Sequence, residues 1–346
     1  MGRKLFDYVI GNPPYQEDVE NDGDRANPVY NKFMDAAYEV ADCVELIHPA
    51  RFLFNAGQTP KAWNNKMLHD QHFKVLLYEP DALKIFPNTD IKGGVVITLR
   101  DKNKMFGEIN VFTAYDELNH IVQKITRLNK TGFLSEIVSA RGSYRTTEMF
   151  STAFPFAASR LGKGTGNMLV SNFFDKLPEA IADEEEESSK GLLKILCRTN
   201  NERVFRYIRR EYIQPNDFID TYNVASPEAN GSGKFGEKLT IGEILKPNEG
   251  ATDTFISIGK FETVYEAQML NKYMKTKFFR ALLGVRKVTQ HCPPAVWSMI
   301  PLQDFTPSSD IDWSKSIHEI DLQLYRKYGL SAEEIEFIEA HVKEMA

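Results

Sequence analysis

The chain has 346 residues, of which 42% are hydrophobic and 26% charged, enough apolar material for two or three packed domains. No apolar run approaches the roughly 18 residues a membrane span requires. No charged-then-apolar leader opens the sequence, and Cys43, Cys197 and Cys292 lie too far apart for a disulfide framework, so a reducing cytoplasm is expected. The net charge of −6 argues against a nucleic-acid partner only until its distribution is read. Asp183–Glu187 and five glutamates between 333 and 344 carry the acidity, and the remainder is mildly basic.

In chain order, segments 6–10, 44–48, 74–79 and 94–100 are rich in Val, Ile, Leu and Tyr and read as strands, with 108–113 as a further one. Helical spacing covers 28–41, with Val29, Phe33, Ala36, Ala37 and Val40 on one face, and 59–71. Strand, helix, strand, helix, strand, strand is an α/β order ending in an antiparallel hairpin. Past residue 115 the organisation changes, which divides the chain into 1–115 and 116–346. Helices are expected over 117–129 and 173–182, and a strand at Thr254–Ile258. A long amphipathic helix over 262–284 carries Val264, Ala267, Leu270, Met274, Phe278 and Leu282 in one stripe. Two last helices span 318–328 and 331–344, the second opened by Ser331 and Glu334 as a capping box.

The most informative residues are Asn12-Pro13-Pro14-Tyr15, directly behind the apolar run Phe6–Gly11. They place an amide side chain, two residues without a backbone N–H and an aromatic ring at the carboxyl end of a strand, where open α/β sheets bind their ligands. A planar heterocycle with an exocyclic amino group fits such a loop. Its protons would go to the Asn12 side-chain oxygen and the Pro13 carbonyl, and Tyr15 would cover the ring. The plain alternative is a Pro-Pro turn leaving a buried strand.

Phe6 to Gln16 resembles the catalytic motif of N6-adenine DNA methyltransferases, particularly type II restriction–modification enzymes that fuse methylation and cleavage (type IIG-like). The likeness continues through Asp24–Phe33, Val44–Leu53 with its Pro49-Ala50-Arg51 loop, and Phe86–Ile97. It implies the second half of a doubly wound (Rossmann-like) methyltransferase sheet over 1–115, followed by an α+β target-recognition domain over 116–346. It further implies that Asn12, Pro13, Pro14 and Tyr15 are catalytic, that S-adenosylmethionine is the methyl donor, and that double-stranded DNA is the substrate, with adenine flipped out of the duplex. A restriction endonuclease partner is in keeping with the family. Such enzymes bind the cofactor on strands ahead of the motif, and only Met1–Leu5 precede it here. The chain is therefore expected to need a separate or upstream cofactor-binding half. Two other readings remain open: a DNA-recognition subunit or silent remnant that no longer methylates, and a family member acting on a protein glutamine or an RNA base.

For DNA contact, Arg141-Gly142-Ser143-Tyr144-Arg145-Thr146-Thr147 is the best loop, since arginines among small hydroxyl residues suit phosphates and base edges. Arg286 and Lys287 are the other candidates, and basic groups also cluster at Arg203–Arg210 and Lys272–Arg280. Gly162, Gly164 and Gly166 form a G-x-G-x-G that follows no strand and reads as a loop. His69 and His72 read as a solvated helix face, and no metal site is expected.

Overall fold

A computed structural model describes residues 4–17, 26–55, 58–87, 89, 91, 93–162, 164–182, 191–199, 202–287 and 289–345. The chain forms two compact units, Met1–Gln123 and Lys124–Ala346.

The first unit contains β1 (Phe6–Gly11), α1 (Tyr30–Val40), β2 (Ala41–Pro49), α2 (Lys61–Leu68), β3 (Phe73–Glu79) and β4 (Val95–Asp101), and helix α3 (Asp116–Leu128) begins in it. The strands form one sheet in the order β1-β2-β4-β3. β1 runs parallel to β2, with Tyr8 beside Cys43 and Ile10 beside Glu45, whereas β4 is antiparallel to both of its neighbours. One face of the sheet is the core: Val44, Leu46, Phe73 and Val96 pack with Met34 of α1, Trp63 and Met67 of α2, and Phe52. The other face is open at β1, where Phe6, Tyr8 and Ile10 are 57%, 71% and 78% exposed. Parallel strands are ordinarily buried on both faces. Among the described residues β1 also pairs on one side only.

The expected strand over 108–113 does not form. Asn110 takes a left-handed φ of 56°, outside the extended range of a regular strand, and the amides of Phe106 and Gly107 bond back to the Gln71 carbonyl instead.

The second unit opens with three short helices, α4 (Glu148–Ala153), α5 (Ala157–Leu161) and α6 (Phe173–Lys176). Strands β5 (Leu192–Thr199), β6 (Glu202–Arg209), β7 (Tyr222–Pro227), β8 (Glu243–Leu245), β9 (Glu249–Ala251) and β10 (Phe255–Phe261) follow. They build two three-stranded sheets, β6-β5-β9 and β10-β7-β8. Phe150, Phe173, Leu193, Ile195, Ile208 and Ile219 form their shared core. The single long helix expected over 262–284 is two helices, α7 (Val264–Lys275) and α8 (Lys277–Arg286). The break is at Thr276, whose backbone is extended and whose hydroxyl accepts the Phe279 N–H. The buried Asp321 carboxylate accepts the amides of Lys277 and Phe278 at 3.0 and 2.8 Å, capping the new helix start. Asp321 lies on α9 (Ile317–Lys327), and the chain continues into α10 (Ala332–His341), where Ser331 and Glu334 make the capping box. The helix expected over 173–182 is shorter because Pro178 follows α6.

Candidate functional site

The Asn12–Tyr15 loop leaves β1 at its carboxyl end, next to the carboxyl end of the parallel strand β2. Two anchors hold it. Gln16 bridges Pro28, with the Glu17 amide on the Asn27 carbonyl at 2.9 Å and the Val29 amide on the Tyr15 carbonyl at 3.1 Å. The Glu17 carboxylate then accepts from Asn27 Nδ2 at 3.1 Å and Lys32 Nζ at 3.3 Å, tying the loop to the start of α1. Hydrogen bonds from Asn27 and Lys32 hold the Glu17 carboxyl below its ordinary pKa. Asp24 and Arg25, within the block resembling the family, lie outside the described residues.

Within the anchored loop Asn12 is exposed, and its side-chain amide makes no hydrogen bond among the described residues. The Pro13 carbonyl is likewise unbonded there. Tyr15 is placed differently. Its ring is half-buried, meets Phe86 edge-on (centroids 6.3 Å apart, planes at 68°) and packs against the sheet core. Its hydroxyl is buried without a partner among the described residues, and burial pushes the phenol up to about 12.

On the neighbouring strand His48 is fully buried. Its Nε2 lies 2.8 Å from Thr98 Oγ1, and its ring stacks on Tyr30 with centroids 5.5 Å apart. Burial pushes its imidazole down to about 4, against a small opposing effect of the Pro49 carbonyl, so it is a neutral core group. Phe52 is also core, at 0% exposure, while Phe54 is partly exposed and meets Tyr78 and Phe112 edge-on. The sequence offered no sign of Phe86 as the ring partner of Tyr15 beyond its place at the start of the last family-like block. A separate cavity of about 400 Å³ lies along the outer edge of β3, lined by Phe73, Leu77, Tyr78, Phe106, Phe112 and His120.

In the second unit the Arg141–Thr147 segment is pinned by its backbone. Thr146 and Thr147 donate their amides to the carbonyls of Asn167 and Tyr212, and Leu169 donates to that of Tyr144. Gly142, Tyr144 and Thr146 face inward, and the Tyr144 hydroxyl lies 2.7 Å from Ser257 Oγ. The hydroxyls of Thr146 and Thr147 donate to the Asn167 and Glu211 carbonyls, so they are committed within the protein. Arg145 is exposed, with one guanidinium nitrogen on the Gly166 carbonyl at 2.8 Å. Arg141 is half exposed and paired with Asp253 at 2.9 Å. Arg286 is exposed at the end of α8.

Lys287 differs from expectation. It is buried, with its ammonium on Glu237 Oε1 at 2.8 Å and the Thr289 carbonyl at 3.1 Å, which turns it away from any phosphate. Burial would raise the Glu237 carboxyl, but the Lys287 ammonium together with the Ser232 and Gly233 amides holds it down at about 2. The acidic run 183–187 lies outside the described residues. His69 and His72 do not share a site: their Nδ1 atoms lie 2.8 and 2.7 Å from the carbonyls of Asn65 and Lys104. No cluster of potential metal ligands occurs among the described residues, and no described helix is long and apolar enough to cross a membrane.

Residues 1–86 match the family model described as Eco57I restriction-modification methylase. Over 106 residues, 30% of this chain and 25% of the relative, the sequence is 27% identical to an uncharacterized adenine-specific methylase of Mycoplasma pneumoniae. The chain thus spans about a quarter of the length of that relative. Among solved structures it is similar to the type IIG restriction endonuclease BpuSI, with a TM-score of 0.33 and 12% identity over 96% of this chain and 52% of that one. It is also similar to the ATP-dependent type ISP restriction-modification enzyme LlaBIII bound to DNA, with a TM-score of 0.24 and 11% identity over 84% of this chain and 28% of that one.

Proposed function

We propose that this chain is the catalytic-loop and target-recognition part of a site-specific N6-adenine DNA methyltransferase of a restriction–modification system. The observation that carries the reading is the Asn12 amide and Pro13 carbonyl, unbonded among the described residues and held at the carboxyl end of a parallel strand by an anchored loop. The match of residues 1–86 to the methylase family supports it.

The chemistry follows from the loop. The amino nitrogen of adenine is a weak nucleophile because its lone pair is conjugated into the purine. Accepting its two protons at Asn12 Oδ1 and the Pro13 carbonyl draws density onto that nitrogen. The contacts strengthen as positive charge develops during methylation, so they favour the transition state over the bound base. Tyr15 supplies the stacking surface for a flipped base, which requires its ring to turn from its edge-on packing with Phe86 or to use the face that packing leaves open. Arg141, Arg145 and Arg286 are assigned to DNA, whereas Lys287 is not.

The glycine-rich segment of the second unit does not fit S-adenosylmethionine. Gly162, Gly164 and Gly166 follow helix α5 and not a strand, at φ of 95°, 100° and 57°. The cofactor is therefore assigned to a complementary half. The outer edge of β1, unpaired among the described residues, and its exposed Phe6, Tyr8 and Ile10 support the docking of that half as the first part of a doubly wound sheet.

The test is Asn12→Ala in the chain combined with a cofactor-binding half, scored by protection of DNA from cleavage and by labelled methyl incorporation. Turnover should fall by roughly two orders of magnitude or more, while duplex affinity and melting temperature hold. Unchanged turnover per folded molecule, with a lowered melting temperature, would mean that the loop is a structural turn.

A further inference from the structure

We propose that the cationic side of the β5–β6 hairpin, carried by Lys194, Arg198 and Arg209, is the surface on which the second unit receives the phosphate backbone of duplex DNA. This rests on the DNA reading above. The two strands pair with Leu192 opposite Arg209, Lys194 opposite Tyr207, Leu196 opposite Phe205 and Arg198 opposite Arg203. Residues directly opposite in an antiparallel pair share a face, as do alternate residues along a strand. Lys194, Arg198, Arg203 and Arg209 therefore stand on one face with Phe205 and Tyr207 between them. On the opposite face Leu193, Ile195, Cys197 and Ile208 enter the core, and on the cation face Leu196 is buried as well, which leaves Arg198 and Arg209 exposed at its two ends.

Among the described residues, little neutralises this face. Arg198 and Arg209 are exposed and have no partner among the described residues. The Lys194 ammonium lies over aromatic rings, 4.8 Å from the centroid of Phe205 and 5.9 Å from that of Tyr207, and not on a carboxylate. Among the described residues two acidic ones adjoin the face. Glu243 pairs with Arg203 at 2.9 Å, and Glu249 stands beside Lys194 in the β5–β9 register, its carboxylate accepting the Lys246 amide. Glu202, in the hairpin, lies on the other face.

The dimensions suit a duplex. Arg203 to Arg209 covers roughly 20 Å of strand, a length of DNA that carries about a dozen phosphates. Guanidinium and ammonium groups spaced along a rigid strand meet phosphates without ordering a loop. The aromatic rings between them hold Lys194 in place and offer apolar contact to sugars. By contrast, the Arg141–Arg145 segment spends one of its two arginines on Asp253.

The experiment uses the full chain and a fluorescently labelled mixed-sequence duplex, titrated by anisotropy over a range of salt. The Lys194→Gln/Arg198→Gln/Arg209→Gln variant should bind at least ten-fold more weakly at low salt. Its slope of log affinity against log salt should be shallower by about 2.7, or 0.9 for each phosphate no longer neutralised. If the triple variant melts early, Arg198→Gln/Arg209→Gln alone, which breaks no hydrogen bond or ion pair among the described residues, should flatten the slope by about 1.8. A control of equal sign, Lys315→Gln/Arg326→Gln on the exposed surface around α9, should leave the slope unchanged. Binding by the wild type with an unaltered slope in the hairpin variants would overturn this assignment and leave the methyltransferase reading standing, as would an equal loss in the control. No salt-dependent duplex binding by the wild-type chain would overturn both.

Discussion

Tyr15→Phe should stabilise the first unit. The phenol oxygen is buried and has no hydrogen-bond partner among the described residues, and a hydroxyl buried unsatisfied costs about 1–3 kcal/mol. The Tyr15 ring is only half-buried, so part of that cost is relieved by small motions toward water, and about 1 kcal/mol is the expected gain. For a unit of this size that is a rise of roughly 3–5 °C in melting temperature. Removing the ring should act in the opposite sense: Tyr15→Ala loses the edge-on contact with Phe86 and the packing on the sheet core, about 2 kcal/mol for a partly buried aromatic. Differential scanning fluorimetry and guanidinium unfolding of the full chain measure both. With a complementary half present, Tyr15→Phe should retain methylation and Tyr15→Ala should weaken capture of the base by about 1–3 kcal/mol. A melting temperature lowered by Tyr15→Phe would refute the reasoning, because it would show that the hydroxyl is satisfied in the folded state.

Gly94→Ala should destabilise the first unit by about 2 kcal/mol or more: its φ is 81°, and a Cβ would sit 2.5 Å from the Glu79 carbonyl oxygen and 2.8 Å from Pro80 Cα, backbone atoms that cannot swing aside. An unchanged denaturation midpoint would show that this turn is not as tight as the structure has it. His48 should make the same unit acid-sensitive. Its folded pKa of about 4 lies below its ordinary 6.5, so its contribution is complete above pH 6.5 and is lost as pH falls toward 4, by at most on the order of 3 kcal/mol. His48→Gln should flatten the melting temperature across that window, and a profile identical to wild type would assign the acid sensitivity elsewhere.

The alternation of elements in the first hundred residues was legible because hydrophobic period and turn residues are local properties. The strands expected at 6–10, 44–48, 74–79 and 94–100 appear at Phe6–Gly11, Ala41–Pro49, Phe73–Glu79 and Val95–Asp101. The Asn12–Tyr15 loop was legible for the same reason, since a strand, a glycine and two prolines specify a loop without reference to anything distant. Partnership across the fold was not. That β1 is an edge strand with Phe6, Tyr8 and Ile10 exposed depends on which strands pair, and an apolar run reads alike whether it is covered or open. The stripe from Val264 to Leu282 has helical period throughout, but the tertiary structure divides it at Thr276, because Asp321, forty-five residues away in sequence, caps a second helix there. Lys287 has the sequence context of a surface cation, and only the fold sets Glu237 against it. The basic residues of Arg203–Arg210 form a scattered cluster in sequence, and strand register is what puts Lys194, Arg198, Arg203 and Arg209 on one side of the hairpin. Sequence pattern determines which face of an element is apolar, but long-range pairing decides which polar groups are neutralised and which are left to meet a partner.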